Sequence, residues 1–148
     1  KILLLFLCLW YVWGSVSLFP HFMSYANELA GTKKISYLKF MDSNMDWGQS
    51  LISFKKYIDI VKPSKVSFSY FGRDDASAYG FPSDFPFGSY KFNEICAFHE
   101  INYPSNAGLA LTAISLSNWF YCGYYLDPQF GNNNVNTLIG GSILVFNE

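Results

Sequence analysis

Acidic and amide side chains alternate along one short stretch of the chain, at Asp42, Asn44 and Asp46. Oxygen ligands with this spacing open a calcium-binding loop, where chain curvature turns every second side chain toward the ion. Such a loop also requires glycine at its sixth position and a bidentate glutamate at its twelfth. This chain has Trp47 and Ser53 at those positions. We therefore predict a tight turn between a strand and a helix, and we expect no metal ion or cofactor.

The helix after this turn is predicted from one apolar face. Its members are Trp47, Leu51, Phe54, Ile58 and Val61. They recur at steps of three and four residues, and Pro63 prevents the helix from continuing. Asp46 suits the N-cap, and Gln49 three residues later completes a pattern like a capping box. Asp42 and Asp46 could instead serve as the acid and base of glycosidic chemistry, but the sequence does not set their separation.

Other titratable residues favour plain structural interpretations. His21 and His99 have no second histidine or cysteine nearby at zinc-ligand spacing, so we expect no zinc site. We read Asp74 and Asp75 as a solvated acidic turn. The net charge is −1 and Arg73 is the only arginine, which argues against nucleic acid as a partner. Phosphate-binding loops, nucleophile elbows and zinc-protease motifs are absent from the sequence. We predict no catalytic residue in this chain.

The uncharged run from Ile2 to Phe19 predicts a membrane helix, because 18 residues reach roughly 27 Å. A signal peptide cleaved near 15–17 is the alternative. We place the transmembrane helix at 1–19 and an interfacial helix with its linker at 20–34. Pro20 fits the first turn of that helix. The candidate membrane-interface residues are His21, Asn27 and Glu28.

The remainder, 35–148, is predicted to be one α/β domain with a mixed, partly parallel sheet. Apolar or alternating patterns predict strands at 35–41, 65–71, 94–98, 109–117 and 139–146. Strand, helix and strand in succession over 35–71 predict a parallel βαβ unit. Residues 127–136, with four asparagines, predict a surface loop. Cys96 and Cys122 are the only candidate disulfide pair in the domain, and the sequence leaves open whether they join.

Several motifs in order resemble the C-terminal region of polytopic glycosyltransferase-like membrane proteins, bacterial relatives of dolichyl-phosphate-mannose protein mannosyltransferases. The matching residues are 18–22, Tyr25, 27–31, 42–49, 70–72, 79–80, 111–118, 139–143 and Phe146. In that family a last membrane helix leads into a small extracytoplasmic domain. The resemblance implies the same orientation here, at the membrane surface. It carries over no catalytic residue, because the family's catalytic loops lie near its N-terminal end.

These observations lead to one expected function and two alternatives. We expect a terminal membrane helix and extracytoplasmic cap domain with a structural or acceptor-guiding role, without catalysis by this chain alone. The expected partners are membrane lipid and either other membrane-protein subunits or a polytopic region. The first alternative is a single-span accessory subunit of a larger membrane complex, since Gly14, Ser15 and Ser17 allow close helix approach. The second is a sugar-binding module with its site at 81–90.

Overall fold

The computed structural model describes residues 1–17, 19–22, 36–38, 46–72, 76–82, 95–104 and 108–147. Within these ranges, helix α1 spans Ile2–Val16, α2 spans Leu51–Val61 and α3 spans Leu116–Tyr121. The strands are β1 (Lys65–Ser69), β2 (His99–Asn102), β3 (Ala110–Ser115), β4 (Thr137–Ile139) and β5 (Ile143–Asn147). Short 3-10 turns occupy much of the connecting chain. The predicted α/β class with a mixed sheet is confirmed.

Helix α1 is shorter than the uncharged run that predicts it. It has 15 residues and ends at Val16, and a turn follows at Phe19 and Pro20, which are joined by a cis peptide bond. No helix in the described part of the chain has both the length and the apolar character needed to cross a bilayer. The interfacial helix predicted after Pro20, including Asn27 and Glu28, lies almost wholly outside the described residues.

Helix α2 follows its predicted apolar face. Leu51, Phe54 and Ile58 are buried, and the helix ends where Lys62 takes a left-handed conformation just before Pro63. Its predicted start is wrong, because the helix begins at Leu51 after Ser50 rather than at the turn that contains Asp46.

The five strands form one sheet in the order β2-β1-β3-β5-β4. Only the central pair β1 and β3 is parallel; the other neighbouring pairs are antiparallel. The parallel register aligns Lys65 with Ala110 and Ser69 with Ile114. A parallel pair brings the carboxyl ends of both strands to the same edge of the sheet. The side chains that follow β1 and β3 therefore meet.

The predicted βαβ unit is wrong. Strand β1 already has β2 and β3 on its two sides, so no further strand can pair with it. In the part of 35–41 that the structure describes, Ser36–Leu38 form a 3-10 turn. Tyr37 is 2% exposed and packs edge-on against Trp119, 5.9 Å between ring centroids. Tyr37 therefore packs on one face of the sheet and is not part of a strand within the sheet.

Two other strand predictions need correction. The strand expected at 94–98 begins only at His99, where β2 pairs with β1 and Glu100 reaches Lys65 at 2.6 Å. The single strand expected over 139–146 is a hairpin of β4 and β5. Gly140 and Gly141 both have positive φ and make its turn, which the apolar residues on either side conceal.

Each face of the sheet carries its own apolar cluster. On one face α2 packs against the sheet, with Phe54 and Phe68 4.5 Å apart between ring centroids. The other cluster contains Tyr37 and Trp119 and is bordered by Phe130. Cys96 and Cys122 form a disulfide, so the segment before β2 is tied to the end of α3. This settles the pairing that the sequence leaves open.

Candidate functional site

The candidate site is the polar edge of the sheet at the carboxyl ends of β1 and β3. Helix α3 leaves β3 here, and the turn before α2 packs against it. Its buried polar residues are Asp46, Ser50, Ser69, Ser115, Ser117, Asn118 and Ser142. Buried polar side chains are uncommon without hydrogen bonds, so their partners decide what this edge can do.

Asp46 is the acidic group of this edge, and it is 1% exposed. Its Oδ1 accepts a hydrogen bond from the Gly48 backbone N–H at 3.1 Å, and its Oδ2 accepts one from the Ser117 N–H at 3.1 Å. The Ser117 hydroxyl donates to the Asp46 carbonyl at 3.0 Å. Asp46 is therefore not the N-cap of α2. It joins the turn before α2 to the first turn of α3.

A chain of hydroxyl groups leads away from the Asp46 carboxyl. The Ser50 hydroxyl donates to the Gly140 carbonyl at 3.0 Å, and the Ser142 hydroxyl donates to Ser50 at 2.8 Å. Ser142 also hydrogen-bonds the Asp46 carboxyl. The Ser142 hydroxyl therefore lies between Ser50 and the Asp46 carboxyl, and its single proton serves one of these two acceptors at a time.

Burial and hydrogen bonds act on the pKa of Asp46 in opposite directions. Burial raises the pKa of this carboxyl above its ordinary value, because the charged form loses its hydration. The backbone N–H groups of Ser117 and Gly48, then the hydroxyls of Ser142 and Ser117, act in the opposite direction and offset part of the effect. Both carboxyl oxygens point into the protein. The group is suited to holding two segments together rather than to meeting a substrate.

Gly48 and Gly72 enclose the hydroxyl of Tyr70. That hydroxyl donates to the Gly48 carbonyl at 2.7 Å. A Cβ added at either glycine would lie 2.3 Å from the Tyr70 oxygen, and Gly48 has a φ of +82°. Both features require glycine at position 48. The Trp47-Gly48 part of the motif is therefore set by backbone shape and close approach.

The remaining predicted residues of the motif have separate places. Trp47 is 58% exposed, and its backbone N–H donates to Gln49 Oε1 at 2.7 Å. Gln49 thus holds the turn itself and does not complete a capping box. Asp42 and Asn44 lie outside the described residues. Within the described ranges, no three residues among His, Cys, Asp and Glu are grouped so as to hold a metal ion.

His21 reaches this edge from the N-terminal side. Its Nε2 lies 3.3 Å from Ser53 Oγ, and a Cβ added at Gly140 would lie 3.2 Å from its Cε1. The residue predicted to sit at a membrane interface therefore also contacts the first turns of α2 and the hairpin turn. The segment after α1 is attached to the domain at this point.

Sequence reasoning missed Ser115 and Asn118. Ser115 Oγ accepts from the Phe71 N–H at 2.9 Å and caps α3 by accepting from Asn118 N. Asn118 Nδ2 donates to Ser69 Oγ at 2.9 Å and to the Ile95 carbonyl at 2.8 Å. A serine at the end of an apolar strand followed by asparagine three residues later is a cap signal that the strand prediction overran.

Neither family models, nor curated proteins, nor solved structures match this chain.

Proposed function

We propose that this chain is the terminal membrane helix and extracytoplasmic cap domain of a glycosyltransferase-like membrane protein, with a structural or acceptor-guiding role. The ordered motifs at 42–49, at 70–72 after β1 and at 111–118, which begins in β3, support the family. The observation that carries the proposal is the exposed apolar surface of α1.

Helix α1 contains no charged residue and is apolar on all sides. Its side chains are open to the surroundings from Ile2, at 86% exposed, to Val16, at 64%, and only Gly14 is buried. An exposed apolar surface of this kind requires an apolar environment. Fifteen residues extend about 22 Å, less than the roughly 30 Å of bilayer hydrocarbon. Placement in lipid therefore involves local thinning of the bilayer or a contribution from flanking residues such as Phe19 and Phe22.

The disulfide supports the extracytoplasmic side for the domain. Disulfides persist in oxidising compartments and are rare where glutathione and thioredoxin keep thiols reduced. Cys96 and Cys122 are bonded, whereas Cys8 in α1 is free. This distribution fits a domain outside the cytoplasm that is attached to a helix in the membrane.

The polar edge supports a structural role rather than catalysis. Asp46 is its acidic group, and both carboxyl oxygens are bound by backbone N–H groups inside the domain. In this proposal the edge fixes the shape of the cap, and a polytopic region supplies the lipid-linked sugar site.

A single-span accessory subunit is the second candidate, and the last turn of α1 favours it. The Ser15 hydroxyl donates to the Tyr11 carbonyl at 3.1 Å, and the Ser17 hydroxyl donates to the Gly14 carbonyl at 3.0 Å. With these hydroxyls turned back to their own backbone, small residues allow another helix to approach closely.

The experiment is native mass spectrometry of the protein purified in detergent from its source membranes, with an assay for transfer of lipid-linked sugars. A polypeptide far heavier than 16.9 kDa that transfers sugar supports the cap-domain proposal. A polypeptide of 16.9 kDa with co-purifying chains supports the accessory subunit. Recovery in the soluble fraction after alkaline extraction of the membranes would contradict both.

A further inference from the structure

We infer that the turn at Asp46–Gln49 is built to hold the Trp47 ring in the lipid headgroup region of the bilayer, beside the exit of α1. This inference rests on the proposed function and assigns that function's membrane contact to particular residues. The Trp47 surface comprises the exposed side chains Phe22, Trp47 and Ile52, which are 52%, 58% and 52% exposed.

The turn is rigid on both sides of an exposed ring. Asp46 before Trp47 is 1% exposed and bound by two backbone N–H groups. Gly48 after it is buried under the Tyr70 hydroxyl. The Trp47 backbone N–H donates a hydrogen bond to Gln49 Oε1. The indole belongs to neither apolar cluster of the domain. A strongly fixed backbone therefore presents a large aromatic side chain to the outside.

The position of this surface follows from His21. His21 and Ser53 are in contact, and their sequence neighbours are Phe22 and Ile52, while Trp47 lies four residues before α2 begins. From Val16, the last residue of α1, to His21 is five residues, which reach at most about 17 Å. The contact that joins the segment after α1 to the first turn of α2 therefore lies no more than about 17 Å from the end of α1.

The headgroup region is the occupant that fits this surface. Tryptophan is enriched there because its ring has an apolar body and one N–H donor. The three side chains of the surface are uncharged. Two ion pairs lie elsewhere, one between Lys55 and Asp59 farther along α2 and one between Lys65 and Glu100 across β1 and β2.

The test uses the whole chain in phosphatidylcholine vesicles with spin-labelled lipids that quench tryptophan either near the headgroups or deep in the acyl chains. The background variant is W10F/W13F/W47F, which keeps only Trp119, a core residue that is 2% exposed. W10F/W13F adds back Trp47 to this background, and W13F/W47F adds back Trp10 in α1. After subtraction of the background, each added tryptophan reports its own depth.

The matched control is Ile60→Trp in the background variant. Ile60 is 81% exposed on the same helix, eight residues beyond Ile52 and so about 12 Å farther along it. We expect the shallow label to reduce Trp47 emission about twofold, as for a ring in the aromatic belt of a membrane interface, and to leave the I60W emission nearly unchanged. We expect the deep label to quench Trp10 most.

The outcomes separate the inference from the proposed function. If Trp10 is quenched while Trp47 is quenched no more than the I60W tryptophan, α1 lies in lipid but the Trp47 surface does not, and the inference is wrong. A ring reserved for a partner protein would give this result. If Trp10 also escapes both labels, the membrane placement in the proposed function fails as well.

Discussion

Two aspartates in this molecule form the same local turn in different surroundings. Asp46 Oδ1 accepts from the N–H of Gly48 at 3.1 Å, and Asp127 Oδ1 accepts from the N–H of Gln129 at 2.8 Å. Both contacts join a carboxylate to the backbone two residues later, as aspartate commonly does in turns. Asp46 is buried, whereas Asp127 is exposed.

The difference lies in the second oxygen. Asp46 Oδ2 accepts from Ser117, 71 residues away, so a local turn becomes a junction between α2 and α3. The exposed segment after α3 is secured otherwise, by 3-10 turns and by the disulfide between Cys96 and Cys122. One region is ordered by buried hydrogen bonds. The other combines short 3-10 turns and a covalent bond with the packing of Phe130 against the cluster of Tyr37 and Trp119. Substitutions in each region test whether the two are ordered by different contacts.

Gly48→Ala should destabilise the domain by about 4 kcal/mol, combining left-handed backbone strain with overpacking. Its Cβ would lie 2.3 Å from Tyr70 Oη and 2.8 Å from the Phe71 carbonyl oxygen. Gly123→Ala is the control for strain alone, since its φ is +75° and nothing lies within 4 Å of the added Cβ. We expect about 1.5 kcal/mol there. Denaturant unfolding in detergent measures both, and equal losses would remove the role of close packing.

Replacing Cys96 and Cys122 with alanine should cost about 3.5 kcal/mol, since the bond joins residues 26 apart in sequence. Cys8→Ala is the control, because Cys8 is free and exposed. Hydrogen exchange should rise over 121–134 and change little over 46–50. Equal loss of protection in both segments would show that the two regions are not separately ordered.

Asp46→Ala should cost about 3 kcal/mol, because it leaves the N–H groups of Gly48 and Ser117 buried without their acceptor. Asp46→Asn should cost less, since its one carbonyl oxygen keeps one of the two acceptor interactions that alanine loses. Thermal unfolding at neutral pH ranks the two variants. If asparagine is as damaging as alanine, the acceptor interaction that it retains contributes little to stability.

The sequence predicts the features that depend on neighbouring residues and does not predict contacts between distant ones. The buried face of α2 and its end at Pro63 were predicted correctly, because residues three and four apart and a proline act locally. The assignment of Asp46 as a helix cap was wrong, since its second acceptor interaction is with Ser117 and no local pattern reveals that partner. Trp47 was counted in the apolar face of α2, although the helix begins four residues later and leaves the ring exposed.

The sheet shows the same limit. Strands β1 and β3 were expected from their own apolar patterns, and both are present. Their pairing does not follow from these patterns, because about 40 residues separate β1 from β3 and no local signal links the two strands. The β4–β5 hairpin is concealed in the sequence because Gly140 and Gly141 are flanked on both sides by apolar residues that read as one strand. Continuous hydrophobicity shows burial but does not show where a buried chain reverses.

The pH dependence of stability tests the buried Asp46 carboxyl, with a smaller expected effect than the substitutions above. Because burial raises the pKa of Asp46, the folded state binds more protons than the unfolded state between the ordinary value near 3.8 and the raised value. Its contribution to stability is therefore complete below pH 3.8 and is lost as pH rises through the folded pKa. Wild type should lose stability relative to Asp46→Asn as pH rises from 4 toward neutrality in thermal unfolding. The opposite slope would mean that the hydrogen bonds from Ser117 and Gly48 outweigh burial.

Asp127→Ala should have the smallest effect, at most about 0.5 kcal/mol, because the freed N–H of Gln129 lies in an exposed turn and can bond to water. The Asn134 amide also holds this turn, donating to the Pro128 carbonyl at 2.7 Å and to the Gln129 carbonyl at 3.1 Å. Denaturant unfolding beside Asp46→Ala compares the same substitution at both turns. A loss at Asp127 as large as that at Asp46 would mean that the local turn, which both residues share, carries the stability and that the bond to Ser117 adds little.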